Sequence, residues 1–176
     1  MSMLPLARIV FALAIVATAR ADEPACAAVP PGSTYAAEPP SYFPTEFLEV
    51  PVLSVRQETH NSKVVMFALP EGVSLELPIS SAIVMNAPGA GPEGKDVARP
   101  YNPISSNERG KFELLIKVYD EGHASAFAGR LKPGDMVGFK QVKPNVKGWR
   151  YPFGKESITM LAGGTGIAPM IQVTVT

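Results

Sequence analysis

Turn chemistry interrupts the middle of this 176-residue chain so often that only short elements fit between the breaks. Pro70-Glu71-Gly72, the loop 86–96, residues 107–110 and Lys132-Pro133-Gly134-Asp135 are all built from residues that favour turns. Between them lie short runs rich in β-branched and aromatic side chains, at 47–55, 63–69, 79–85, 111–119 and 135–142. In 111–119 the apolar residues Phe112, Leu114, Ile116 and Val118 recur at every second position, the pattern of a strand with one buried face. Roughly five or six short strands at this spacing predict a mainly β fold, a small antiparallel barrel. Segment 125–131 is the one helical candidate in the region, and Met85, Met136 and Met160 read as strand residues of the core. A chain that is 46% hydrophobic and 18% charged has enough apolar surface for such a core.

The pattern changes at Ser157. Residues 157–162 read as a buried-type strand, Gly163 to Gly166 as a tight loop, and Ala168-Pro169-Met170 as a helix start with proline in its first turn. Strand, glycine loop and helix in that order open a doubly wound α/β domain. The loop is not the G-x-G-x-x-G fingerprint, because Pro169 stands in the place of the third glycine. Its glycines let a cofactor approach the backbone closely, and Thr165 offers a hydroxyl within it. An ordinary strand-to-helix turn is the competing reading.

The N-terminal residues differ in kind. Residues 1–21 contain Arg8 and Arg20 but no acid, and the apolar run 9–19 is broken only by Thr18. That run is short of the ~20 residues needed to span a bilayer. It has the length of a secretory h-region, and Ala19-Arg20-Ala21 supplies a small-x-small site. We therefore expect 1–21 to be a signal peptide or membrane-targeting segment, with an uncleaved anchor or an organelle presequence as alternatives. The destination implied is the endoplasmic reticulum or another membrane, or else the mitochondrion. Six prolines between Pro24 and Pro44 make 22–45 a linker by composition.

Several function classes drop out. The net charge is zero, and without residues 1–21 there remain 14 basic against 16 acidic side chains, so nothing suggests nucleic acid. Trp149 and Tyr151, with Lys147 and Arg150 around them, are too short a run for base stacking and read as packing between two domains. Cys26 is the single cysteine, and His60 and His123 lie far apart, so no disulfide or metal site is expected.

What remains is a constellation suited to a phosphate-bearing, flat cofactor. Arg99-Pro100-Tyr101 sets a guanidinium fork beside a rigid turn and an aromatic ring. By itself this reads as a surface arginine beside a strand-end tyrosine. Lys117 and Tyr119, however, alternate along the next strand and so share a face. Gly122-His123-Ala124-Ser125 then opens the short helix, where unpaired N–H groups and the dipole favour an anion. His123 has no carboxylate partner nearby except Glu121, so it reads as a loop histidine beside phosphate and not as a general base.

Arg99-Pro100-Tyr101-Asn102-Pro103-Ile104-Ser105, the Lys117-x-Tyr119 strand, Gly122-x-x-Ser125 and Gly163-Gly164-Thr165-Gly166-Ile167-Ala168-Pro169-Met170 together resemble the NADH-cytochrome b5 reductase family, within the ferredoxin-NADP reductase superfamily. The likeness runs from about residue 47 to 173. It implies an FAD-binding barrel of ferredoxin reductase type at 46–152, followed at 153–176 by the first strand, loop and helix start of a nicotinamide domain truncated early. In that family NADH reduces FAD, and a haem protein such as cytochrome b5 accepts the electrons. By resemblance Arg99 contacts the FAD pyrophosphate and Tyr101 packs on the flavin, with Pro100 between them. Lys117 and Tyr119 line the same site, and Gly122, His123, Ala124 and Ser125 cap the phosphates. Gly163, Gly164, Thr165 and Gly166 meet the nicotinamide. Asn102 and Thr165 are the expected catalytic positions. Asn102 departs from the family, which has Thr or Ser there with its hydroxyl near the flavin's reactive nitrogen. Family members carry a further hundred or so residues. An active reductase cut short, an FAD-binding short form without NADH turnover, and a structural subunit of a larger assembly joined through its C-terminal segment all remain as readings.

Overall fold

A computed structural model describes residues 41–78, 80–105, 108–142 and 157–174. Residues 1–21, where a targeting segment is expected, most of the Pro-rich tract and the run from Lys147 to Tyr151 lie outside these residues. Among the described residues six strands make up the sheet: β1 (Leu48–Thr59), β2 (Ser62–Ala68), β3 (Ile83–Ala87), β4 (Val97–Tyr101), β5 (Lys111–Lys117) and β6 (Met136–Gln141). Two short helices accompany them, α1 (His123–Gly129) and α2 (Ala168–Thr174). The strand order is β4-β3-β6-β1-β2-β5, and every pairing is antiparallel.

β1 is the hinge of this arrangement. Its first residues, Leu48 to Pro51, pair with β6, while Val52 onwards pairs with β2, and the register shifts between Val52 and Ser54. An irregularity of this kind bends a strand and increases its twist, which lets one strand serve two sheets. The two outer strands then meet: Pro103, just beyond β4, bridges Leu114 of β5, and the Ile104 N–H donates to the Glu113 carbonyl at 2.9 Å. The sheet therefore curls into the small antiparallel barrel that the alternation implies.

Four phenylalanines fill it. Phe43, Phe67, Phe112 and Phe139 are fully buried, with ring centroids 4.9 to 5.7 Å apart in mainly edge-to-face contacts. β5 buries Phe112, Leu114 and Ile116 and turns the residues between them outward, as the period of two requires. Phe43 corrects the linker boundary. Composition carries the Pro-rich tract to residue 45, yet Phe43 plugs the barrel, the Tyr42 N–H donates to the Leu75 carbonyl, and the Gln141 N–H donates to the Pro44 carbonyl. One aromatic ring with a core to enter outweighs the local composition.

Three other expectations are corrected. The strand expected over 79–85 runs from Ile83 to Ala87, because Ser80 is in the left-handed region (φ 61°) and the Ser81 N–H turns back to the Pro78 carbonyl. Residues 157–162 form no strand: Leu161 is 79% exposed, and no described residue pairs with the segment. An extended segment without a ladder partner has no backbone hydrogen bonds to hold it as a strand. Met85 is core, but Met136 is 51% exposed on the outer face of β6 and Met160 is only half-buried outside any strand.

Candidate functional site

β4, the end of β5, the start of α1 and the turn before α2 surround one cleft of about 620 Å3. Arg99, Pro100, Tyr101, Asn102, Lys117, Tyr119, Gly122, His123, Ala124, Ser125 and Thr165 all line it. Residues that the sequence singled out from four separate segments are thus brought to one place, in a volume typical of small-ligand sites. Of the glycine loop only Thr165 is among the lining residues; Gly163, Gly164 and Gly166 are not. Three further lining residues are not among the expected site residues: Leu115, Glu121 and Ala168. Leu115 was legible, since it shares the alternate face of β5 with Lys117.

Pairing explains the placement of the cations. Arg99 stands opposite Met85 of β3 with its side chain exposed, and its Nη1 donates to the Ala98 carbonyl at 2.9 Å. Lys117, the last residue of β5, holds its ammonium 5.2 Å from the centre of the Tyr119 ring, a cation–π contact that keeps both side chains on the cleft side. Tyr101 is half-buried against the core. Burial pushes its phenol above the ordinary tyrosine value, and the positive charge of Arg99 draws it partly back.

The turn into α1 depends on Gly122. A Cβ there would lie 2.2 Å from Ser125 Oγ and 3.1 Å from Tyr119 Cβ, so only glycine allows the approach. Ser125 is buried, and its hydroxyl accepts from the Tyr119 N–H at 3.2 Å and reaches the Gly122 carbonyl at 3.4 Å. That hydroxyl is engaged within the protein, so what Ser125 leaves towards the cleft is its N–H. The first N–H groups of any helix lack intrahelical acceptors, and here they open beside Lys117.

Across the cleft, a 3-10 turn over Gly164–Ile167 leads into α2. Gly164 has φ 55°, which favours glycine, whereas Gly163 and Gly166 have open space where a Cβ would stand and no steric reason to be glycine. Asn102 faces the same cleft, but its Nδ2 donates to the carbonyls of Ser80 at 3.1 Å and Ser81 at 2.9 Å. Among the described residues no group of three or more His, Cys, Asp or Glu is placed to hold a metal ion.

Two clustered cations, a half-buried aromatic ring and a glycine-dependent turn with free N–H groups form a donor set that fits a flat cofactor carrying a diphosphate. The barrel is of ferredoxin reductase type. It superposes on the cytochrome b5 reductase domain of Ulva prolifera nitrate reductase with a TM-score of 0.61 at 23% identity, over 77% of this chain and 58% of that one. On a ferredoxin NADP+ reductase from Neisseria gonorrhoeae the TM-score is 0.55 at 19% identity, over 74% and 51% of the two chains. Residues 49–147 match the oxidoreductase FAD-binding domain family, and the chain belongs to that family. Within it the similarity is to NADH-cytochrome b5 reductases. The chain is 41% identical over 135 residues to an NADH-cytochrome b5 reductase-like protein of Arabidopsis thaliana, covering 74% of this chain and 40% of that protein. It is 47% identical over 116 residues to NADH-cytochrome b5 reductase 1 of Dictyostelium discoideum, covering 65% and 39%. The chain thus spans about two fifths of the length of the curated relatives it matches.

Proposed function

We propose that this chain holds FAD in the cleft between β4, β5 and α1 and acts in an oxidoreductase of the NADH-cytochrome b5 reductase type. The observation that carries the reading is the convergence of Arg99, Tyr101, Lys117 and the Gly122 turn on one cleft, with Thr165 on its far wall. Arg99 and Lys117 neutralise the cofactor's diphosphate, helped by the N–H groups of His123, Ala124 and Ser125. Tyr101 would offer its ring to the cofactor's flat ring system and help keep water from it, with Pro100 fixing the turn. Tyr119 holds the Lys117 ammonium in place. FAD, when bound, supplies the exchange between a two-electron hydride donor and a one-electron acceptor. NADH is the donor, approaching on the side of Thr165 and the Gly163, Gly164 and Gly166 backbone, and a haem protein such as cytochrome b5 is the acceptor. Residues 1–21 act as the address, to the endoplasmic reticulum or another membrane or to the mitochondrion, and a fluorescent-protein fusion reports which.

Purified chain supplied with FAD should take on the flavin's visible absorption. Arg99→Glu should abolish it, because like charge then faces the diphosphate. Protein that stays colourless on reconstitution would defeat the reading. In the whole protein, NADH should bleach that band, more slowly in Thr165→Val than in the unmodified chain.

A further inference from the structure

Two primary-amide side chains, far apart in sequence, close on one carbonyl. Asn102 Nδ2 donates to the carbonyls of Ser80 at 3.1 Å and Ser81 at 2.9 Å. Gln172 Nε2 donates to the same Ser81 carbonyl at 3.3 Å and to that of Pro103. Between them, Ser80 Oγ donates to the Pro169 carbonyl at 2.9 Å. Gln172 is 6% exposed, and Ala168, one turn earlier on the same helix face, is 5% exposed. The orientation of the Asn102 amide is dictated by its surroundings. Turned over, it would set Oδ1 against two carbonyl oxygens and strip each of them of a donor.

The three side chains join pieces with different tasks. Asn102 and Pro103 continue directly from the Arg99-Pro100-Tyr101 strand, and Pro103 also closes the barrel on Leu114. Pro169 and Gln172 belong to α2, which continues from the turn carrying Thr165. The Ser80–Ser81 backbone lies between the two, with Ser80 held in a conformation that few non-glycine residues adopt. Both Asn102 and Thr165 line the cleft. Whatever fixes α2 on Ser81 therefore fixes the distance from Thr165 to the Tyr101 wall.

We propose that Asn102 and Gln172 are the two halves of a latch, closed on the Ser81 carbonyl, that fastens α2 and the Thr165 turn to the cofactor edge of the barrel. Asn102 is then a positioning residue, both of its amide hydrogens being spent on the latch. The functional sense of this rests on reading the cleft as the FAD site, but the latch itself needs no cofactor. A hydroxyl at this position has one donor and serves one carbonyl. An amide has two and serves both, which is what the larger side chain adds.

Asn102→Asp and Gln172→Glu keep the shape of each side chain and remove its N–H donors, and Ser80→Gly removes the hydroxyl while tolerating the left-handed backbone. Hydrogen exchange on the full chain without cofactor should show the amides of α2 losing protection by about tenfold or more in each variant, with β2 and β5 unmoved. With FAD added, Asn102→Asp should alter the visible band shape and raise flavin fluorescence, because the wall of the cleft beside Thr165 shifts. Should Asn102→Asp fail to fold, Ser80→Gly and Gln172→Glu carry the test. A chain that takes up FAD normally, with α2 protection within about twofold of the unmodified protein in the variants, would overturn the latch and leave the cofactor reading standing. A chain that takes up no FAD yet loses α2 protection in the variants would support the latch and defeat the cofactor reading.

Discussion

Tyr101 and Gly122 are where single atoms decide the shape of the cleft. Burial raises the Tyr101 phenol above its ordinary value, with Arg99 opposing in part. The folded protein therefore holds this proton more tightly than the unfolded chain does. Its contribution to stability is complete below about pH 10 and is lost as pH rises through the raised value. Urea midpoints measured from pH 9 upward should fall with pH, and Tyr101→Phe should flatten part of that fall. Gly122 is constrained by space: a methyl group would meet Ser125 Oγ at 2.2 Å. Gly122→Ala should cost about 1–3 kcal/mol in chemical denaturation, the usual range for overpacking, and weaken FAD uptake as the turn moves. The residue types at the cleft were readable from the sequence, because an arginine, a lysine at period two and a glycine–serine turn each have a chemistry. The commitment of Asn102 and Ser125 to backbone partners was not, since a side chain's partner depends on which distant carbonyl or N–H the fold delivers to it.

At the scale of elements, alternation and turn residues located β1, β2, β5 and β6 well, and Pro169 in the first turn located α2. The start of β3 escaped because a serine in the left-handed region leaves no compositional mark. The apolar stretch 157–162 misled for a related reason: β-propensity records fitness for a pleated surface, and a strand exists only when something pairs with it. The helix α1 shows what tertiary context adds. It has no basic residue in its own last turn, and the Lys63 ammonium on β2 supplies one by donating to the Gly129 carbonyl. Gly129 itself allows the helix to sit on Val118, whose Cγ1 would lie 3.0 Å from an added Cβ. Lys63→Met keeps the aliphatic stem and removes the charge. We expect a loss of about 0.5–1.5 kcal/mol by urea denaturation, the range for one such bond and dipole interaction, with the loss shrinking as salt is raised.

For the whole molecule the decisive residue is Phe43. It lies outside every strand, yet its ring touches those of Phe112 and Phe139 and closes one end of the core. Phe43→Ala should cost about 3–5 kcal/mol, read as a fall in the denaturation midpoint without a change in slope. A truncation that removes residues 41–44 should do the same, so any barrel-only fragment has to begin no later than Ser41. The barrel's closure has a consequence of another sort. Pro103 meets Leu114 a few residues beyond Arg99 and Tyr101, so the seam of the cylinder runs directly behind the cleft. A ligand gripping β4 and β5 together is also a staple across that seam, and mass action converts its occupancy into resistance to unzipping. Where the ligand is scarce, that join should be the first to loosen. The outer edges of β4 and β5 would then stand as templates for other chains, so light scattering should rise in flavin-depleted protein and fall again when FAD is restored.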